Sequence, residues 1–184
     1  SITTLKDEDG DYPDWIEIHN TTNQTIDLSN YALSDSTDKL VKWRFPQGST
    51  IAPNGYFVVF ASKKDRAAAE GSWPHANFKL RSNGETVILS DIQGRMVDMV
   101  TYDLLSADTS WGRDEEGDGS FKVFTSPTPG LPNTRAGMTA MDTALCLANT
   151  SGLYITEVMT GNKSIHGPNV TYFYDYIEIY NMSG

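Results

Sequence analysis

The feature that most constrains this chain is a seven-residue phrase that occurs twice, near its two ends. Residues 14–20 (DWIEIHN) return as residues 175–181 (DYIEIYN), an offset of 161 positions. A repeat at this distance indicates a domain-sized unit that begins again before the chain stops. In each copy two isoleucines alternate with other residues, which is typical of a β-strand with one aliphatic face.

The second copy of the phrase follows an alternating apolar stretch, residues 153–159 (LYITEVM). Moved back by 161 positions, that stretch would fall before residue 1, so we expect the first unit to lack its opening strand. A sandwich without one strand has an unpaired edge and a gap in its core. We therefore predict that residues 153–160 fill the vacant position, either within the chain or by exchange between two chains in a strand-swapped dimer.

The chain is predicted to have three segments. Residues 1–135 form a β-sandwich that lacks its first strand, and residues 128–133 (TPGLPN) end it because they suit neither helix nor sheet. Residues 136–152 form a connector in which the spacing of the apolar residues allows a short helix. Residues 153–184 begin a second repeat, which either starts a new unit or donates the missing strand.

Short strand-like runs separated by turn residues predict an all-β fold. Residues 56–60 are apolar on both faces, as in a central strand. Residues 85–89 and 96–102 flank a short loop that contains Gly94, which predicts a hairpin. Residues 63–70, with three successive alanines, predict one short helix of about two turns.

Composition narrows the classes of partner. The net charge of −10 disfavours binding to phosphate backbones and to anionic lipid surfaces, so no nucleic acid is expected as a partner. No apolar run approaches the roughly 20 residues that a membrane-spanning helix needs, so no membrane insertion is expected. The single cysteine, Cys146, lies between two leucines and is expected to be a buried structural thiol rather than a reactive one.

In these motifs the chain resembles the lamin tail domain family, specifically its bacterial members. The resemblance covers residues 7–133 and restarts at residue 153; it departs from the family in that the apolar opening strand is found only at 155–162. The matching segments, in order, are 14–20, 27–35 (DLSNYALSD), 42–46 (KWRFP), Gly48, Ile51, Pro53, Gly55, 78–80 (FKL), 84–85, Gly94, 112–113 and 128–130 (TPG).

This resemblance implies an immunoglobulin-like β-sandwich with one short helix and no catalytic activity. It also implies a scaffold, adhesion or interaction module of a multidomain bacterial protein that is secreted or attached to the cell surface. The partner would be a protein or a glycan. A contrasting interpretation is a calcium-dependent module that binds carbohydrate or protein.

The most site-like segment is acidic. Asp7, Asp9, Asp11 and Asp14 alternate around Gly10, and calcium is bound by oxygen ligands arranged around such turns. The helices and the twelfth-position glutamate of the common calcium loop are absent, so a solvated acidic loop is the alternative. Residues 114–119 (DEEGDG) are a second candidate, and they also suit a plain hairpin tip.

Residues for catalysis are not arranged in a recognisable motif. The three histidines are widely separated and no Gly-x-Ser-x-Gly turn occurs. Glu17 recurs in both copies of the repeat, which favours a structural role such as accepting hydrogen bonds from backbone amides. Trp73, beside Pro74 in a loop, is the best candidate for an exposed aromatic residue that contacts a ligand.

Overall fold

The computed structural model describes residues 5–147, 153–159 and 176–181. The chain divides into two compact units, residues 1–138 (unit 1) and residues 139–184 (unit 2). Each unit is described by itself below. No helix within the described ranges is long and apolar enough to cross a membrane.

Unit 1 consists of short β-strands with one turn of 3₁₀ helix at Leu28–Asn30. The strands are β1 Asp14–His19, β2 Ile26–Asp27, β3 Tyr31–Ser34, β4 Trp43–Arg44, β5 Thr50–Ile51, β6 Tyr56–Ala61, β7 Glu85–Asp91, β8 Met96–Tyr102, β9 Ser110–Arg113 and β10 Phe121–Phe124.

All strand pairs of unit 1 are antiparallel. The largest sheet has four strands in the order β4-β3-β7-β8, and β1 pairs with β6 in a second sheet. Two further pairs are β2 with β5 and β9 with β10. This architecture confirms the predicted all-β class.

The hydrophobic core lies between the β1–β6 pair and the four-stranded sheet. Ile16 and Ile18 point from β1 toward this core, as their alternation predicts. Apolar burial of this kind contributes roughly 25 cal/mol for each Å² removed from water. The buried members of the core cluster are Leu28, Leu33, Trp43, Phe45, Ile51, Val59, Ala61, Ala76 and Phe78.

Strand β6 has backbone partners on both edges. It pairs with β1 on one side, and on the other its Phe60 amide and carbonyl bond to the segment around His75. Residues 58–61 are buried, which explains why this strand is apolar on both faces. The predicted hairpin of residues 85–89 and 96–102 is also confirmed, as β7 and β8.

The helix predicted for residues 63–70 is wrong. That segment is irregular, and Lys63 and Asp65 have φ angles of 69° and 48°. Positive φ values are incompatible with a right-handed helix. The three alanines are exposed, so no apolar face holds them in a helix.

The helix occurs instead in the connector, where the sequence allowed one: α1 spans Arg135–Leu147. In unit 2, β11 (Leu153–Met159) pairs antiparallel with β12 (Tyr176–Asn181), with a register shift between Ile155 and Glu157. Residues 148–152, 160–175 and 182–184 lie outside the described residues. That residues 153–160 complete unit 1 stays a prediction.

Candidate functional site

Strand β1 has one paired edge and one open edge. The Asn20 amide donates to the Gly55 carbonyl at 2.9 Å and so extends the β1–β6 ladder. Since backbone groups alternate between the edges of a strand, Ile16 and Ile18 bond toward β6, whereas Trp15, Glu17 and His19 present their N–H and C=O groups to the other edge. Within the described residues, no strand pairs with that other edge.

A groove of about 820 Å³ runs along this open edge, and we call it the β1 groove. Its floor is formed by aliphatic side chains of both sheets, including Ile16, Ile18, Val87 and Leu89. Other lining residues come from β8, β9, the segments 80–82 and 105–109, and single positions such as Tyr56, Phe121, Pro127 and Asn133.

Two large apolar side chains of β8 line the β1 groove and remain open to solvent. Val97 is 55% exposed and Met99 is 47% exposed. Leu89 pairs with Asp98 and Ser90 with Met96, so Val97 lies in a β-bulge, and Met99 is directly opposite Ile88. Trp111 of β9 completes this wall and stacks on Phe121 with ring centroids 6.0 Å apart. An apolar surface of this kind beside an unpaired strand is typical of an interaction site.

The outer rim of the groove is polar. His19 stacks on Tyr56 with centroids 4.3 Å apart, and its Nδ1 lies 3.4 Å from the Glu115 carboxylate. The Tyr56 hydroxyl donates to the same carboxylate at 2.9 Å. Burial, this hydrogen bond and the nearby negative charge all raise the pKa of Tyr56 above its usual value.

Glu17 accepts a hydrogen bond from the Gly130 amide at 2.5 Å. Gly130 has a φ of +83°, a conformation that suits glycine and turns its amide toward β1. Burial raises the pKa of Glu17 to about 7, against the effect of this hydrogen bond and with a smaller contribution from Glu115. The predicted structural role of Glu17 as an acceptor of a backbone amide is confirmed.

The acidic segment forms a second candidate site, the acidic loop (residues 7–11). The carboxylates of Asp7, Asp9 and Asp11 lie within 4.8 Å of one another. The Lys64 ammonium group contacts all three, with Nζ–O distances of 2.5, 2.6 and 2.9 Å. Asp14, the fourth predicted ligand, lies at the start of β1. A side-chain cation therefore occupies the position where a metal ion would have to bind.

The cations and amides around the acidic loop lower the pKa values of the Asp7 and Asp9 carboxyl groups. Burial acts to raise the pKa of Asp7, but hydrogen bonds from Lys64 and from the amides of Asp9 and Asp11 hold it below its usual value. Hydrogen bonds from Lys64 and Arg66 lower the pKa of Asp9. Asp7 is almost fully buried, so Lys64 compensates a carboxylate that has left water.

The same loop anchors a buried histidine. The Glu8 carboxylate lies 3.1 Å from Nε2 of His75, and Nδ1 of that ring lies 2.8 Å from the Ser62 hydroxyl. Partial burial acts to raise the pKa of Glu8, yet hydrogen bonds from its own amide, His75 and Ser72 lower it to about 2. His75 is fully buried and packs on Phe60. We interpret this serine–histidine–glutamate line as a tie between the acidic loop and β6.

The other predicted site residues are Trp73 and residues 114–119. Trp73 is half-buried, and its ring meets Phe57 edge-on at 5.4 Å. Ligand contact by Trp73 stays a prediction. Residues 114–119 form the tip between β9 and β10, where the Asp114 carboxylate pairs with Lys122 at 2.6 Å.

Sequence reasoning missed the cations that hold the acidic loop. Lys64 and Arg66 lie more than 50 positions from it, and they fall in the segment that was predicted to be a helix. The only available signal was charge complementarity between two distant segments. The exposed pair on β8 was within a correctly predicted strand, but the sequence does not show that its face would remain uncovered.

Comparison with known protein families identifies one family that matches unit 1. The Lamin Tail Domain family matches residues 2–103, which is more than half of the chain and contains the acidic loop and strands β1 to β8. No curated protein matches the chain. This family has an immunoglobulin-like fold, and its domains are generally noncatalytic. On the strength of this match, the chain belongs to the lamin tail domain family.

Proposed function

We propose that this chain is a noncatalytic interaction module whose binding surface is the β1 groove. The observation that carries the proposal is the combination of an open strand edge with the exposed side chains of Val97 and Met99. Soluble domains rarely leave an apolar surface beside unpaired backbone groups unless a partner covers it. Backbone hydrogen bonds would supply affinity, and the apolar floor would select the side chains of the partner.

The setting we propose is a multidomain bacterial protein that is secreted or attached to the cell surface. Its support is the resemblance to bacterial lamin tail domains and the second copy of the β1 phrase in β12. In such a protein, repeated noncatalytic sandwiches would space neighbouring domains or present them to a protein or glycan partner. The net charge of −10 favours solubility in that setting.

Selection from a library of displayed random peptides tests whether the groove binds a partner. We expect selected peptides to bind the unaltered chain and to lose at least tenfold in affinity, about 1.4 kcal/mol, for Met99→Glu. Met96→Glu is the matched control, because Met96 of the same strand is 50% exposed but does not line the groove. Peptides that bind equally to both variants, or a selection that yields no binder, would remove the groove as the binding surface.

One observation favours the alternative of a calcium-dependent carbohydrate- or protein-binding module. Asp7, Asp9 and Asp11 present three oxygens within 4.8 Å, which suits a hard cation. Calcium would have to displace Lys64, whose ammonium group now contacts all three carboxylates. Thermal melts and a glycan array, each with calcium and with a chelator, test this alternative. Equal melting temperatures and no calcium-dependent glycan binding would eliminate it.

A further inference from the structure

We propose that the contact between Glu17 and Gly130 is a pH-sensitive latch, which holds the tip of the turn at residues 128–133 against β1 while Glu17 is protonated and releases it when Glu17 is ionised. This turn lies between β10 and α1 in the chain. The latch does not depend on what binds the β1 groove, because both of its partners belong to unit 1.

The turn has a fixed base and an exposed tip. The Leu131 amide donates to the Thr128 carbonyl at 2.9 Å, and the Thr128 hydroxyl donates to the Asn133 side chain at 2.8 Å. Thr128 is 1% exposed and forms the base, whereas Gly130 is exposed. The Gly130 amide donates to the Glu17 carboxyl group at 2.5 Å. This hydrogen bond joins the tip of the turn to the middle of β1.

The surroundings of Glu17 make its ionised form costly. Burial is the largest influence and raises the pKa of Glu17 to about 7; the Gly130 amide acts in the opposite direction, and the negative charge of Glu115 adds to the effect of burial. Glu115 is held by the Tyr56 hydroxyl of β6 and by His19 of β1, at 2.9 and 3.4 Å. Residues 128–133 (TPGLPN) themselves carry no titratable side chain. The closed turn therefore favours the protonated carboxyl group.

The turn, rather than β1, should move when Glu17 loses its proton. An ionised carboxylate gains hydration if the group that contacts it withdraws. β1 is fixed by six residue pairs with β6, whereas the tip of the turn is irregular and exposed at Gly130. Exposed irregular segments open at a smaller free-energy cost than paired strands. Ionisation therefore opens the turn and leaves the β1–β6 pair intact.

The proton balance sets the direction and the size of the effect. In the open turn the Glu17 carboxyl group meets water, and its pKa returns toward the ordinary value of 4.5. The closed turn thus holds a proton that the open turn releases, so the open fraction rises with pH between about 4.5 and about 7. From pH 5.5 to pH 8, these two pKa values give an increase in the opening constant of up to about 25-fold.

Hydrogen exchange of the Gly130 amide in the full chain, followed by NMR, tests the latch. The rate is compared with that of an unstructured amide at the same pH, which removes the intrinsic pH dependence and gives a protection factor. We expect this factor to fall about tenfold or more between pH 5.5 and pH 8. A protection factor that does not fall in the unaltered chain would overturn the proposal.

Two variants assign the effect to the carboxyl groups. Glu17→Gln keeps an oxygen for the Gly130 amide but cannot ionise, so its protection factor should stay constant with pH. Glu115→Gln removes the neighbouring negative charge and should reduce the fall. A fall in Glu17→Gln as large as that in the unaltered chain would overturn the latch.

Urea at concentrations below the unfolding transition separates opening of the turn from unfolding of unit 1. Opening a turn exposes little surface, so exchange at Gly130 should depend only weakly on urea. Exchange at the Ile18 amide, which bonds to β6, should rise steeply. An equally steep rise at both amides would contradict the latch, because Gly130 would then exchange only through unfolding.

The carbon-13 signal of the Glu17 carboxyl group provides a measurement on the unaltered chain that does not rely on the folding of the variants. We expect it to titrate with a midpoint near pH 7. A midpoint near the ordinary value of 4.5 would overturn the proposal, since the closed turn would then hold no additional proton.

Discussion

The acidic loop precedes β1 and the β1 groove runs along that strand, and the two regions differ in how many of their polar and apolar groups have partners within the chain. In the loop, the carboxylates of residues 7–11 meet Lys64 and Arg66, and Glu8 meets His75. In the groove, apolar side chains of β8 are exposed. The backbone groups of three β1 residues there have no strand partner among the described residues. The loop is a structural element that the chain completes by itself, whereas the groove has the properties of a surface that a partner completes.

This difference changes how acidic clusters and apolar grooves should be ranked as candidate sites. Three closely spaced carboxylates attract attention in a sequence, but Lys64 already contacts all three and Arg66 also pairs with Asp9. The groove has no conspicuous motif. Its apolar side chains are exposed, however, and the outward backbone groups of β1 have no strand partner within the described residues.

Loss of the loop cation should have the largest effect. Lys64→Gln leaves the buried Asp7 carboxylate without its charged partner, and we expect a loss of about 2 kcal/mol in the free energy of unfolding. Lys122→Gln, at the exposed pair with Asp114, is the matched control and should cost at most about 0.5 kcal/mol. Chemical denaturation measures both, and equal losses would contradict the structural role of the loop.

Low pH should have the second-largest effect, because it protonates the carboxylates of the acidic loop. The folded-state pKa of Glu8 is about 2, below its ordinary value, so its stabilising contribution is present above about pH 4.5 and is lost as the pH falls toward 2. The lowered pKa values of Asp7 and Asp9 act in the same direction. We expect the melting temperature of Glu8→Gln to fall less between pH 5 and pH 2.5 than that of the unaltered chain. Parallel curves for the two proteins would contradict this account.

Glu17, at the edge of the groove, should respond to pH with the opposite sign. Its pKa is raised to about 7, so the folded state binds the proton more tightly, and stability decreases as the pH rises from about 4.5 to about 7. Glu17→Gln keeps an oxygen for the Gly130 amide and should remove this decrease. Near pH 8 the melting temperature of this variant should exceed that of the unaltered chain by about 2–5 °C. Glu70→Gln, at an exposed position, is the control and should keep the decrease. An identical slope for Glu17→Gln would show that the carboxyl group titrates normally.

The smallest effect should come from the groove itself. Met99→Glu removes an exposed apolar side chain, so we expect the free energy of unfolding of the monomer to change by no more than about 0.5 kcal/mol. The same substitution is expected to weaken peptide binding to the groove at least tenfold. A large loss of stability in the monomer would show that Met99 belongs to the core and would weaken the case for a binding surface.

The sequence predicted the parts of this fold that depend on local pattern. The alternation at residues 14–20, the strand at 56–60 and the hairpin of β7 and β8 follow from side-chain periodicity and turn residues. The helix prediction for residues 63–70 was wrong because backbone hydrogen bonds of this segment to residues 75–78 outweigh the helix propensity of three alanines. Propensities of a few tenths of a kcal/mol per residue cannot decide such a case.

The candidate sites were less predictable because they depend on residues far apart in the chain. The sequence identified the acidic loop but not its partners, and Trp73 was expected to be exposed before the structure placed its ring edge-on against Phe57. The groove depends on which face of β8 remains uncovered, a property of the tertiary arrangement. Only the repeat of β1 in β12 indicated in advance that this strand edge matters.

Amide hydrogen exchange along β1 measures whether the outer edge of this strand is open. In the monomer, we expect the amides of Ile16 and Ile18, which bond to β6, to exchange more slowly than those of Glu17 and His19 by on the order of tenfold or more. When a peptide selected on the β1 groove is bound, the amides of Glu17 and His19 should become protected as well. Equal protection of all four amides in the monomer would show that the open edge is already occupied and would contradict the account.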